Sequence, residues 1–306
     1  MEISIVIPAY KSYDSLPILI ERIECTMKAQ RYSYEVIIID DCSPDDTWET
    51  LKKLKSKFSA LKIARLLKNS GQHNAILCGF SLAQGDIIIT MDDDLQNLPE
   101  DIPRLIGAIQ EGYDLAIGAY DHKQHAKWRN MGGRLIDAVQ RFIFHLPSSF
   151  QLTSFRAVRK VVVEHVLSMG AVFPYITSML LSHTARYINV PVHHEARCFG
   201  VSNYTVKSSL RLVFNLLFGY SHYPLYFISA LCILVFGLTS VFGIYIVWKT
   251  LVAGSSVPGW ASTITAIAFF NSLTLIALVI NSLYLSRLHQ QITRSRVSFS
   301  IGEIHA

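Results

Sequence analysis

Along the first third of the chain, short runs that are apolar on both faces alternate with amphipathic stretches. The runs are Ile3–Pro8, Glu35–Asp40, Lys62–Leu67, Asp86–Met91 and Asp114–Gly118. They are rich in β-branched residues, the pattern of strands buried in a parallel sheet. Between them, Ser15–Ala29, Asp45–Phe58, Gln72–Ala83 and Glu100–Glu111 carry apolar residues at helical spacing. Two of these open on helix-entry chemistry, Ser43-Pro44-Asp45-Asp46 and Asn97-Leu98-Pro99-Glu100. Strand and helix in alternation predict a parallel sheet wrapped by helices. Ligands of such sheets bind at the carboxyl ends of the strands. The polar groups there are Tyr10, Asp40-Asp41, Asn69-Ser70-Gly71-Gln72 and Asp92-Asp93-Asp94.

The rest of the chain reads differently. Tyr120–Arg141 is basic and His-rich, either a solvated helix or an anion-facing loop and helix. Val161–Met169 and Ile176–His183 read as helices and Ala185–His193 as a strand. Val206–Gly219 has apolar residues at helical spacing, with Lys207 and Arg211 on the other face, as an interfacial helix does. Two uncharged runs follow, Pro224–Trp248 and Val257–Ser286, each longer than the roughly 20 residues needed to span a bilayer. Lys207, Arg211, Arg287, Arg294 and Arg296 flank the pair and only Lys249 lies between, which predicts a hairpin with body and tail cytoplasmic. The expected organisation is a body over 1–205, an interfacial helix over 206–221, a transmembrane hairpin over 222–286 and a cytoplasmic tail over 287–306.

Composition sharpens the division. Of 306 residues 17% are charged, against about 25% in soluble proteins. The mean hydropathy is +0.31. From Leu212 to Ser286 the only Asp, Glu, Lys or Arg is Lys249. Disorder, collagen-like repeats and small disulfide scaffolds are excluded. The net charge of +5 fits cytoplasmic loop charge, with anionic ligands or lipid headgroups as the second reading. Nucleic acid is not an expected partner, because no basic cluster with interleaved aromatics occurs. The 5 cysteines are scattered without C-x-x-C spacing, which suits a reduced compartment. The amino terminus reads as a strand rather than a signal peptide.

The sharpest chemical signal is Ile87–Gln96, IIITMDDDLQ. A buried strand runs into consecutive carboxylates at the ligand edge of the sheet. Such acids repel unless a cation neutralises them, and hard oxygen ligands select Mg²⁺ or Mn²⁺ held jointly with substrate phosphates. Alone, the turn could equally be a solvated cap of the helix near Pro99.

Three signals in order narrow the choice: SIVIPAY at the first strand, VIIIDDCS at the second, and the acidic turn. Together they resemble the nucleotide-sugar-binding, Rossmann-like GT-A domain of glycosyltransferase family 2. NSGQHNAILCG at Asn69–Gly79, DDDLQNLPEDIP, and VPVHHEARCFGVSNY at Val190–Tyr204, followed by two spans, are similar to the polyprenyl-phosphate glycosyltransferases. These include dolichyl-phosphate mannose synthases. Closer still are the bacterial undecaprenyl-phosphate transferases for glucose or 4-amino-4-deoxy-arabinose.

The resemblance implies inverting transfer of one sugar from a nucleotide sugar, a UDP-sugar by preference, to polyprenyl phosphate at the cytoplasmic membrane face. It implies that Pro8, Tyr10 and Asp40 line the nucleotide pocket, with Gly71 and Gln72 near base or ribose. Asp92, Asp94 and Gln96 would arrange Mg²⁺ or Mn²⁺ around the diphosphate, Asp93 lying on the donor side between them. Asp94, Arg156 and Arg197 are the groups implied for catalysis, Arg156 facing the phosphates. Ser202 and Tyr204 belong with Arg197 to a segment that closes over donor and acceptor. Arg129 and Arg134 fall near the acceptor-phosphate arginines. A homo-oligomer, a tetramer, is also implied.

The chain departs from the pattern in places. Tyr120-Asp121 stands where relatives carry an arginine, Val201 replaces an acidic residue, and NSLYLSR replaces a Gly-Glu-Tyr segment. His193-His194 on a strand point to opposite faces and read as structural; His73, His122 and His125 lack ligand spacing. No G-x-S-x-G elbow or Walker A motif supports a hydrolase or ATPase. Without Q-x-x-R-W, a processive synthase is disfavoured. A family 2 transferase with another acceptor and a non-catalytic membrane scaffold that binds a nucleotide sugar are the rival readings.

Overall fold

Five strands form where the apolar runs predict them: β1 (Glu2–Ala9), β2 (Ser33–Asp40), β3 (Leu61–Leu66), β4 (Ile87–Thr90) and β5 (Leu115–Tyr120). Ile3, Ile5, Ile7, Ile37, Ile38 and Ile39 are fully enclosed, so β1 and β2 are covered on both faces, as their unbroken apolar runs require. The covering helices are α1 (Leu16–Ala29), α2 (Thr47–Lys55), α3 (Gln72–Leu82) and α4 (Ile102–Gln110), the last preceded by a 3₁₀ turn at Pro99–Asp101. The computed structural model describes residues 2–120, most of 138–169, 174–195 and 259–293, residues 299–305, and scattered positions from 213 to 252.

Helix α3 lies tight against the sheet because Gly79 leaves room for it. A Cβ there would stand 2.2 Å from Val6 of β1. That close approach seats α3 on β1, and the amino end of the helix, Gln72 and His73, lines the cavity.

The sheet order is β7-β5-β6-β4-β1-β2-β3-β8, with β6 at Arg156–Arg159, β7 at Tyr187–Val192 and β8 at Ile301–His305. The wholly parallel sheet expected from the alternation needs correction. Strand β6 runs antiparallel between β4 and β5, and β8 is antiparallel to β3. Strand β6 is short, and the charges of SFRAVRK break its apolar run, so periodicity does not reveal it. Its register matters: Arg156 pairs with Thr90, the last residue of β4, immediately before the acidic turn. Helices α5 (Lys160–Met169) and α6 (Ile176–Leu181) follow β6, close to their predicted positions.

The chain divides into two units, residues 1–213 with 294–306, and residues 214–293. The tail is therefore more than the cytoplasmic extension expected over 287–306. Residues 301–305 complete the sheet, where Arg65 pairs with Glu303 and Trp48 Nε1 donates to Glu303 at 3.3 Å. In the second unit, a 34-residue helix α7 (Trp260–Thr293) covers the second uncharged run and extends past the expected end at Ser286. Its described side chains include exposed Ile267, Ile276, Leu278, Val279 and Leu285. Among the described residues no helix is long and apolar enough to cross a membrane. The interfacial helix at Val206–Gly219 lies almost wholly outside the described residues.

Candidate active site

The ends of β1, β2 and β4, the loop before α3, the segment before β6 and the start of α6 surround a cavity of about 620 Å³. Pro8, Tyr10, Gly71, Gln72, Asp92, Asp93, Asp94 and Arg156 line it. Eight residues from four separated segments of sequence thus converge at the carboxyl ends of the strands, where ligand is expected to bind.

One side is built around Asp41. Its carboxylate accepts the backbone N–H groups of Ser70 (2.7 Å) and Gly71 (2.8 Å), which closes the loop onto the end of β2. Gly71 supports this with φ +88°, a conformation that favours glycine. Burial pushes the Asp41 carboxyl up, against the lowering effect of those two bonds. Asp40, expected in the pocket, is instead fully buried behind it. It meets Arg65 Nε at 3.1 Å and accepts the Ser43 N–H at 3.0 Å. Alternation along β2 explains the correction: successive side chains face opposite sides, so only one of the pair can face the cavity.

The acidic turn divides its three side chains between two tasks. Asp93 turns back to the end of β1, accepting hydrogen bonds from Ser12 Oγ and from the Tyr10 N–H (3.2 Å). Its withdrawal from solvent pushes its carboxyl up to about 6; repulsion from Asp92 and Asp94 adds to this, and the two bonds oppose it. It clamps the end of β1 to the acidic turn while remaining among the cavity-lining residues. Asp92 accepts Gln72 Nε2 at 2.6 Å and Ser154 Oγ at 2.5 Å, and the Asp94 carboxylate accepts the Gln96 N–H at 3.2 Å. Among the described residues no three His, Cys, Asp or Glu side chains converge to hold a metal unaided. Two carboxylates suit Mg²⁺ or Mn²⁺ that takes its other ligands from phosphates and water. The residues at this turn therefore fit a metal shared with a diphosphate.

Across the cavity stands Arg156, only 2% exposed. Its Nη1 donates to Thr177 Oγ1 at 3.0 Å and its Nε to the Ser154 carbonyl at 3.2 Å. Burial lowers its pKa, and interactions with Tyr175, the Asp92 carboxylate and Tyr120 oppose that shift. Among the described residues it has no carboxylate at ion-pair distance. The planar fork of a guanidinium has the geometry that suits phosphate oxygens.

His73, discounted on spacing, also lines the cavity, with its ring edge-on to Tyr175 at 4.7 Å between centroids. Burial, reinforced by the Arg156 charge, lowers its pKa to about 4, so it is neutral at pH 7. A histidine buried neutral favours the folded state above its unfolded pKa, and this contribution is lost as pH falls from about 6.5 towards 4. The melting temperature of the wild type should fall over that window more than that of His73→Phe; equal slopes would contradict the burial of a neutral ring. Tyr175, Thr177 and Leu152 gave no signal in the sequence. Gln96 is not among the lining residues, and Arg129, Arg134, Arg197, Ser202 and Tyr204 lie outside the described residues.

A mixed α/β sheet whose strand ends place an acidic turn opposite a buried arginine defines a glycosyltransferase of the GT-A type. The fold is shared with glucosyl-3-phosphoglycerate synthase from Mycobacterium tuberculosis, solved with Mg²⁺ and uridine-diphosphate: TM-score 0.52, 17% identity, covering 71% of this chain and 79% of that one. The same enzyme with Mn²⁺ and uridine-diphosphate-glucose gives a TM-score of 0.51 at 19% identity, covering 71% and 77%. The chain belongs to glycosyltransferase family 2, matching Glycosyl transferase family 2 over residues 4–167. It is 32% identical to the undecaprenyl-phosphate 4-deoxy-4-formamido-L-arabinose transferase of Yersinia enterocolitica, over 99% of this chain and 93% of that protein. A transferase of the same description from Pseudomonas fluorescens is 33% identical over 85% of this chain and 76% of its own length.

Proposed function

We propose that this glycosyltransferase moves a single sugar from a nucleotide sugar, a UDP-sugar by preference, to the phosphate of undecaprenyl phosphate at the cytoplasmic face of the membrane. The observation that carries this reading is the near-full-length similarity to undecaprenyl-phosphate sugar transferases, which extends through the uncharged runs as well as the sheet. The site chemistry agrees. The acceptor phosphate is already an oxyanion, so no strong general base is needed. The protein's tasks are to align two reactants and to neutralise the departing diphosphate.

In this reading Tyr10, Asp41 and Gly71 hold the nucleoside, and Arg156 neutralises phosphate charge. Asp92 and Asp94, with Gln96, hold Mg²⁺ or Mn²⁺, which when bound offsets the charge of the leaving diphosphate. In-line attack by the acceptor inverts the anomeric centre. By family resemblance, Arg197, Ser202 and Tyr204 serve the donor and acceptor phosphates, and Arg129 and Arg134 the acceptor phosphate.

Membrane attachment is part of the proposal. Residues 1–213 and 294–306 belong to one unit and residues 214–293 to another. In this proposal the two uncharged runs are the two crossings, and the flanking Lys and Arg residues keep body and tail on the cytoplasmic face. Phe227, Leu234, Leu238, Val241 and Trp248 of the first run are exposed, a surface suited to lipid rather than water.

The test replaces residues 214–293 with a flexible linker. Cutting the chain before Tyr220 would also remove β8 and so confuse two effects. Transfer to long-chain polyprenyl phosphate in membranes should fall at least about tenfold relative to transfer to a short, water-soluble prenyl phosphate, because attachment becomes reversible at best. An unchanged long-to-short ratio would mean that the segment does not deliver the lipid.

A further inference from the structure

We propose that His194 is a positioning residue that fixes the side-chain amide of Gln96 with its oxygen towards the metal end of the site; this rests on the metal reading above. The Gln96 amide nitrogen lies 3.3 Å from the Glu195 carbonyl oxygen and 3.5 Å from His194 Nε2. A carbonyl oxygen can only accept, so the amide must present its nitrogen there; reversed, two oxygens would face each other. The second N–H is then directed to His194 Nε2, which accepts when the ring carries its proton on Nδ1. Both donors are used on one side, and the amide oxygen is the end that remains. It belongs to a residue whose backbone N–H already holds the Asp94 carboxylate at 3.2 Å. A neutral oxygen beside a carboxylate is the ligand that Mg²⁺ or Mn²⁺ takes.

The imidazole is itself held. Its ring stacks on Tyr120 with centroids 4.1 Å apart and planes at 28°. The Tyr120 hydroxyl donates to Asn97 Oδ1 at 2.7 Å, Asn97 and His194 form a backbone bridge, and the Glu195 N–H donates to the Gln96 carbonyl at 3.1 Å. Tyr120 thus has a place at the position where relatives carry an arginine: it carries the histidine. His193 instead meets Asp101, its backbone N–H donating to that carboxylate at 2.7 Å and its ring Nδ1 lying 3.1 Å from it, so the two adjacent histidines do separate work.

The test measures Mn²⁺ binding directly, by the free-Mn²⁺ paramagnetic resonance signal, on full-length protein in lipid nanodiscs with UDP. His194→Phe keeps a flat ring on Tyr120 and deletes the acceptor; His194→Gln restores an acceptor near the Nε2 position. Outer partners of metal ligands are worth about 10- to 100-fold in affinity. His194→Phe should weaken Mn²⁺ binding by at least about tenfold and raise the Mn²⁺ needed for half-maximal transfer by a like factor. His194→Gln should recover most of the loss, and metal-free melting should not change in either variant. Wild-type Mn²⁺ affinity in His194→Phe, with Asp94→Asn deficient, would overturn the proposal and leave the metal site standing. Equal losses in Phe and Gln variants with lowered metal-free melting would overturn it too, by making the ring a packing element. Unaltered Mn²⁺ binding in Asp94→Asn would remove the metal reading and this proposal together.

Discussion

Asp94→Asn is expected to abolish sugar transfer while the chain stays folded. The substitution is isosteric and sits on a turn whose attachment to the sheet is supplied by others: Asp93 is clamped to Ser12 and Tyr10, and Asp92 to Gln72 and Ser154. What is lost is one negative charge where a divalent cation and a diphosphate would meet. Electrostatic groups of this kind contribute at least about 3 kcal/mol to the barrier, or some hundredfold in rate. Single-turnover transfer together with a melting curve reads both halves of the expectation. Near-wild-type turnover in the well-folded variant would remove Asp94 from the metal site.

Arg156→Lys should come close behind, at about 2 kcal/mol or some thirtyfold in rate. The guanidinium bonds Thr177 through Nη1 and the Ser154 carbonyl through Nε, and its planar fork can still turn further N–H groups to the cavity. An ammonium on a shorter reach is a single point charge and cannot do both. It also leaves Thr177 Oγ1 or the Ser154 carbonyl without its donor inside the protein. The deficit should appear in transfer and in affinity for UDP, since both involve phosphate oxygens. Full activity in Arg156→Lys would mean that the residue acts only through general positive potential.

These two residues illustrate what sequence could and could not reveal. Asp94 was legible because an apolar strand running into DDD is a local pattern, and β4 ends where that pattern says. Arg156 carries no such local pattern, and only the family resemblance points to it. Its position depends on an antiparallel strand of 4 residues whose charges hide it from periodicity, and on a register that sets it beside Thr90. Asp40 and Asp41 could not be separated by composition, since only the direction of the pleat decides which faces the cavity. The pairing of His194 with Gln96 joins segments 98 residues apart and has no local signal. Strand β8 is likewise invisible in advance, because IGEIH is too short and too exposed to announce itself until β3 offers an edge.

The most direct test of the account follows both products of one reaction. Purified full-length protein in nanodiscs containing undecaprenyl phosphate is supplied with Mn²⁺ and each of a panel of UDP-sugars, and the lipid fraction is analysed by mass spectrometry alongside released UDP. The account predicts, for one donor, a lipid whose mass equals undecaprenyl phosphate plus a single sugar residue, formed in equal amount to the UDP and absent when either Mn²⁺ or the lipid is omitted. UDP released at the same rate without the lipid, and no sugar on the lipid with any nucleotide donor, would contradict it.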